Sequence, residues 1–175
     1  MQYSVVHFPP AQLIRKARRY QEPYAGSLDV AIDPHFTLHP PFESDRSTEE
    51  LAQVLGPVCA AATPFRAKIN GFDTFFGRRF VLFMKLADEG KMAALLEKID
   101  RATTEVDWGD VLEPGTTPRP HLTIGFFDKR EEVEQAEAAL AGEALELEWT
   151  VDRVDLVAEV KPAILQSVRT FQLGG

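Results

Sequence analysis

The sequence predicts an α+β protein with largely antiparallel sheets, assembled as a fused duplication. Three observations carry this expectation. Helical and strand-length patterns alternate without a glycine-rich nucleotide loop joining a strand to a helix. One pentapeptide pattern occurs twice, about half a chain length apart, and the elements around its first copy recur in the same order around its second.

Residues 3–8 form the first apolar run of strand length, and a weaker helical pattern covers about 10–20. The first pentapeptide, Pro34-His35-Phe36-Thr37-Leu38, follows as a strand. Ser47-Thr48-Glu49-Glu50 is a helix start, with Ser47 as cap and Glu50 three residues on, and Leu51, Val54, Leu55 and Val58 then recur at helical spacing. Thr63-Pro64 ends that helix. Strands are expected at 65–72 and 80–86, and a helix from near Asp88 carries Met92, Leu95, Leu96 and Ile99 on one face. A loop rich in Gly, Pro and Thr, from about 104 to 120, leads into Pro120-His121-Leu122-Thr123-Ile124. A helix from near Asp128 carries Val133, Ala136 and Leu140 and stops at Gly142. Strands close the chain at 145–151, 154–160 and near 165–171.

A chain of 175 residues is one domain, and the repeat divides it into halves of roughly 1–86 and 87–175. Hydrophobic residues make up 45% and charged residues 26%, which supports a real core and excludes disordered, collagen-like and disulfide-scaffold chains. Cys59, the single cysteine, sits among Val58, Ala60 and Ala61 and reads as a core residue. The longest uncharged stretch, 51–65, is broken by Gly56, Pro57 and Pro64, so no membrane helix is expected. The first residues have neither a basic start nor a long apolar run, and a cytoplasmic location follows as an expectation. Net charge is −8, which argues against binding long duplexes while leaving room for a local phosphate pocket. This acidity and the modest size fit a small substrate or an RNA terminus and a monomer.

The two pentapeptides share the order proline, histidine, apolar, threonine, apolar, with His35 and His121 86 residues apart. Two of the four histidines matching this pattern by chance is on the order of one in a hundred thousand, so a common origin is the better explanation. In a strand, positions i and i+2 share a face, so His35 projects with Thr37 and His121 with Thr123 while the apolar partners pack behind. Two imidazoles with ordinary pKa near about 6.5 can hold opposite protonation states, one as base and one as acid, which suits in-line displacement at phosphorus. Threonine hydroxyls can donate to the non-bridging oxygens. Neither histidine has a neighbouring carboxylate, Cys pair or His-x-x-x-His spacing, so no dedicated metal cage and no cofactor are expected. Which histidine is acid and which is base stays open in a symmetric pair.

His35-Phe36-Thr37-Leu38 and His121-Leu122-Thr123-Ile124 resemble the paired His-x-Thr-x motifs of the 2H phosphoesterase superfamily, which includes the 2′-5′ RNA ligase and 2′,3′-cyclic phosphodiesterase enzymes. The wording Leu38-His39-Pro40-Pro41-Phe42 is similar to its bacterial YjcG-like branch. The resemblance implies a bilobal fold of two antiparallel sheets around a central cleft with helices outside. It also implies metal-independent action on cyclic or 2′-5′ phosphodiesters of RNA ends or small nucleotides. His35 and His121 would be catalytic, and Thr37 and Thr123 would bind phosphate. Two other readings stand beside it: a non-catalytic module that holds a nucleotide or RNA end, and a hydrolase of another small phosphoester.

Several other residues are candidates for substrate contact. Arg119 precedes the second motif, and Arg78 lies with Arg79 in a predicted turn; either can bring a cation to a second phosphate. Phe42 and Trp108 are candidate base-stacking rings, Trp108 because its loop has the length of a lid. His7 is expected to be structural, as is His39, which alternation places on the face of Thr37 at the cleft edge.

Overall fold

The computed structural model describes residues 1–28, 32–77, 79–103, 119–143 and 145–174, with eight strands and four helices among them. In chain order they are β1 (Gln2–His7), α1 (Ala11–Gln21), β2 (Phe36–Glu43), α2 (Thr48–Ala60), β3 (Phe65–Phe76), β4 (Phe80–Ala87) and α3 (Lys91–Thr103). β5 (Leu122–Phe127), α4 (Arg130–Leu140), β6 (Leu147–Val151), β7 (Arg153–Lys161) and β8 (Ile164–Gln172) follow, and a 3₁₀ segment, Glu22–Ser27, extends α1.

Local chemistry places the helix starts. The Ser47 hydroxyl accepts the Glu50 amide while the Glu50 carboxylate accepts the Ser47 amide, so two donors that the first turn leaves unpaired are satisfied together. Asp88 does the same work before α3, its carboxylate accepting the amides of Gly90 and Met92. Leu51, Leu55 and Cys59 are the buried face of α2, and Met92, Leu95, Leu96 and Ile99 that of α3. None of the described helices is long and apolar enough to cross a membrane.

Both sheets are four-stranded and antiparallel, with orders β2-β1-β7-β8 and β5-β4-β3-β6. The motif strands β2 and β5 are therefore edge strands, one in each sheet, and they touch each other. The sheets do not coincide with the halves 1–86 and 87–175: β3 and β4 join the second sheet, and β7 and β8 join the first. Helices cross over as well. α1, which connects β1 to β2, packs against β5, and α3, which connects β4 to β5, packs against β2.

Behind the first motif the sheets are tied by a buried histidine. His7 on β1 donates from Nδ1 to the Arg153 carbonyl at 2.9 Å and accepts at Nε2 from the Trp149 indole of β6 at 3.0 Å. A carbonyl only accepts, so Nδ1 carries the proton and the ring is neutral, with both nitrogens satisfied. Burial lowers its pKa, the Arg153 carbonyl opposing in part. The Phe36 ring lies 5.7 Å from Trp149 and 6.3 Å from His7, so the residue next to His35 is seated against this junction. His7 is thus structural, as its sequence context suggests.

Trp149→Phe removes the donor and leaves the His7 acceptor buried without a partner. The expected loss is about 1–3 kcal/mol of unfolding free energy, read from urea denaturation. The same site makes stability pH-dependent: the unfolded chain takes up the His7 proton first, so stability held above about pH 6.5 is lost as the pH falls below it.

Candidate active site

β2 and β5 carry the same irregularity at the same place. Val6 pairs with Thr37 but Val5 pairs with His39, so Leu38 is an extra residue in β2. Phe83 pairs with Thr123 but Leu82 pairs with Gly125, so Ile124 is the extra residue in β5. A bulge directly after each threonine bends the edge strand and reverses the alternation beyond it. This corrects the expectation for His39, which instead shares a face with Val5 and is fully buried, its Nδ1 donating to the Pro40 carbonyl at 2.8 Å. Phe42 is corrected too: only 5% exposed, it packs on Tyr3 and His39 in the core and offers no face to a ligand. Gly125 stands at the position equivalent to His39, and a Cβ there would come within 2.8 Å of the Tyr24 Cβ, which explains the glycine.

Up to the bulges the two motifs are placed alike. Thr37 lies in a row with Val6 and Asp155 across the first sheet, and Thr123 in a row with Phe83 and Asp73 across the second. Val6, Phe83 and Val157 are buried but stand apart from the main core, as an apolar floor beneath the motifs. His35 and His121 precede their strands by one residue, and both are half-buried, as are Thr37 and Thr123.

Each imidazole is fixed by the same hydrogen bond. His35 Nδ1 donates to the Asp33 carbonyl and His121 Nδ1 to the Arg119 carbonyl, both at 2.8 Å and both to the residue two positions upstream. The proton is therefore on Nδ1 in each ring, and each Nε2 is left to act on a substrate. The rings are near enough for the charge of His35 to act on His121.

Charge breaks the symmetry at the anchoring residues. His35 is lowered from its ordinary pKa mainly by burial, against the Asp33 carbonyl bond and the negative charge of Asp33. His121 is pushed down to about 4 by burial first, with the charges of His35 and Arg119 adding to it against the Arg119 carbonyl bond. An anion thus stands two residues before one histidine and a cation before the other. The contrast Asp33-Pro34-His35 against Arg119-Pro120-His121 is visible in the sequence, and it is the signal that distinguishes the two rings.

The surroundings differ as well. The Phe8 ring meets His35 edge-on at 6.0 Å, and beside it opens a pocket of about 400 Å³ lined by Phe8, Ile14, Ile32, Asp33, Arg153 and Ser167. His121 lies against Phe75 at 4.7 Å and Phe83 at 5.2 Å, and the Arg119 guanidinium sits 5.0 Å from the Phe75 ring centre. Arg119 thus stands beside the second motif, Phe42 does not stand beside the first, and Arg78 and Trp108 lie outside the described residues. Phe8, Phe75 and Phe83 had no separate signal in the sequence, because ordinary core packing accounts for an aromatic residue in a strand. Among the described residues no cluster of three or more His, Cys, Asp or Glu side chains is placed to hold a metal ion.

Comparison with known proteins agrees with this architecture. The family model of the 2′-5′ RNA ligase superfamily matches residues 7–162. The chain belongs to that superfamily. A Geobacillus kaustophilus protein named as a phosphoesterase is 27% identical over 100% of this chain and 98% of its own length. Another from Bacillus pumilus, also named a phosphoesterase, is 29% identical over 99% and 98%. Among solved structures, TT0787 of Thermus thermophilus superposes with a TM-score of 0.65 at 23% identity, covering 100% of this chain and 99% of its own. E. coli LigT complexed with NADP+ superposes at 0.63 and 14% identity, covering 99% and 98%. These likenesses show the fold, an α+β arrangement of two antiparallel sheets. The family and the relatives' names together support a phosphoesterase.

Replacing the anchoring charges should move the two titrations in opposite directions. Arg119→Gln is expected to raise the His121 pKa and Asp33→Asn to lower that of His35, each followed by NMR of the imidazole resonances. Shifts of the same sign in both variants would show that the charges do not set the asymmetry.

Proposed function

We propose that this chain is a metal-independent phosphodiesterase that opens 2′,3′-cyclic phosphates, or 2′-5′ phosphodiesters, of RNA ends or small nucleotides. The observation that carries this reading is the meeting of two equivalent His/Thr pairs from two different sheets, both imidazoles with the proton on Nδ1, one with Asp33 and the other with Arg119 two residues before it.

The chemistry follows from that contrast of charge. His121, whose protonation the Arg119 charge opposes, is the general base: its Nε2 takes a proton from the attacking water as the water oxygen bonds to phosphorus. His35, favoured as a cation by Asp33, is the general acid and delivers a proton to the ribose oxygen as its bond to phosphorus breaks. In a 2′,3′-cyclic substrate that leaving oxygen is the 3′ oxygen, and the product is a 2′-phosphate. With a 5′-hydroxyl in place of water the same step forms a 2′-5′ linkage, and in its reverse the roles exchange: His35 takes the proton of the attacking 3′-hydroxyl and His121 protonates the leaving 5′ oxygen. Thr37 and Thr123 donate to the non-bridging oxygens as charge builds on them. The pocket beside His35 has the size of a small-molecule site and takes the nucleoside whose oxygen His35 serves.

The test is turnover of nucleoside 2′,3′-cyclic phosphates and of a short RNA with a cyclic end, in the presence of EDTA. His35→Ala and His121→Ala should each remove nearly all turnover. Thr37→Ala or Thr123→Ala should lower kcat about 100- to 1000-fold, as loss of a transition-state donor does. Near-normal activity in either histidine variant would overturn the reading, and saturable binding without turnover would favour the binding module. The pH profile gives a separate check. His35 must be protonated and lies below its ordinary value, so kcat/KM should fall as the pH rises from 6 to 8.

A further inference from the structure

The motif row of the first sheet does not end at Asp155. It runs from Thr37 through Val6 and Asp155 to Thr170, in register on β2, β1, β7 and β8, and so crosses the whole sheet on the cleft side. Asp155 is only 5% exposed, but the β7 residues that enter the main core are Val154 and Leu156 on either side of it, so its carboxylate lies in the cleft floor with Val6 and Val157. Thr170 donates to Asp155 Oδ1 at 2.6 Å, and Ser167 donates to the same oxygen at 2.7 Å. Three residues apart on a regular strand, these hydroxyls would point to opposite faces. Leu156 pairs with Arg169 but Val157 with Ser167, so Val168 is an extra residue in β8, and this bulge brings both hydroxyls to one side.

This clamp uses half of the carboxylate. Among the described residues no hydrogen bond reaches Oδ2 and no Lys or Arg is paired with Asp155, whereas Asp33, Glu97, Glu134 and Glu148 each meet an arginine. Oδ2 is not sealed off either, and keeps contact with solvent. Burying a charge costs free energy unless partners meet it, so a carboxylate with one oxygen clamped and the other open to the cleft is arranged to accept from a ligand. The equivalent position of the second sheet has no such device: Asp73 is half-buried, and its carboxylate accepts the adjacent Thr74 amide. The place of Asp155 narrows the donor. It lies two strand spacings, about 10 Å, from Thr37, and Ser167, which holds it, also lines the pocket beside His35. A nucleoside reaching from a phosphate at the threonines into that pocket brings its base, rather than a sugar hydroxyl, over Oδ2.

We propose that Asp155 determines base specificity, its Oδ2 accepting a hydrogen bond from the amino group of a base that carries one. A carboxylate cannot donate, so the carbonyl oxygen of uracil is turned away by a facing acceptor where the amino group of cytosine fits. This rests on the reading of the cleft as a nucleotide phosphodiester site, and adds a selection among bases that chemistry at phosphorus alone does not make.

Cytidine and uridine 2′,3′-cyclic phosphates differ at this one edge of the base. The measurement is kcat/KM on each, beside calorimetric binding of cytidine and uridine 2′-monophosphates. The wild type should favour cytidine about tenfold or more in both, as a hydrogen bond to a charged group does. Asp155→Asn keeps an oxygen for the Ser167 and Thr170 hydroxyls and puts an amide donor in place of the other. It should lower the cytidine values and raise those of uridine, removing the preference. Should that variant fail to fold, Thr170→Val carries the test: it loosens the carboxylate without removing it and should narrow the preference, and an unchanged ratio would overturn the assignment. No preference in the wild type, or one that survives Asp155→Asn, would overturn it as well. So would an equal loss on both ligands, which would show that Asp155 only ties β7 to β8. Binding that favours cytidine through Asp155, with no turnover of either cyclic phosphate, would uphold the assignment and defeat the phosphodiesterase reading.

Discussion

Two backbone carbonyls set the chemistry of this protein. Each belongs to the residue two positions before a motif histidine and accepts the hydrogen bond of its Nδ1–H, so each Nε2 is committed to the cleft before any substrate arrives. A freely rotating imidazole would spend part of its time with the wrong nitrogen forward. The prolines between anchor and histidine, Pro34 and Pro120, fix one backbone torsion in each turn and limit the conformations the anchor must compete with. The side chains of the same anchors, Asp33 and Arg119, then bias the proton affinities of the two rings in opposite directions. One short segment therefore does two separable things: its backbone orients the ring, and its side chain tunes it.

This arrangement needs support from behind, and the first sheet supplies it through His7. The neutral ring, bonded at both nitrogens, joins β1 to β7 and to β6 of the other sheet. Phe36 packs against that junction, so the strand carrying Thr37 has a fixed seat. Behind the second motif no equivalent polar bridge is needed, because Met84, which pairs with Leu122 as His7 does with Phe36, is fully buried in the core. The duplication has kept the positions while the side chains diverged into a hydrogen-bonded solution on one side and an apolar one on the other.

Much of this was legible in the sequence. The repeated pentapeptide placed His35, Thr37, His121 and Thr123 on equivalent strands, and periodicity with capping residues placed α2 and α3. What periodicity could not show was the inserted residue. A strand with one residue too many has the same composition as a regular one, and only pairing with a neighbour makes Leu38 or Ile124 the odd one out. The errors at His39 and Phe42 follow from that and from the burial of β2 on both sides. The pairing of β3 with β4 and β6, and of β7 with β1, depends on contacts distant along the chain, which local patterns do not encode. Asp33 and Arg119 are a different case, since their contrast stood in the sequence and acquired meaning only once both carbonyls were seen to hold a ring.

The crossing of α1 onto β5 and of α3 onto β2, with β3 and β7 each completing the opposite sheet, has the connectivity of a domain-swapped dimer whose two chains have been joined end to end. Neither half owns a sheet, and neither covers its own motif strand. The two halves therefore stand or fall as one cooperative unit, because opening one strips strands and a helix from the other. The gap between the two imidazoles is held by contacts spread over the entire chain rather than by a hinge.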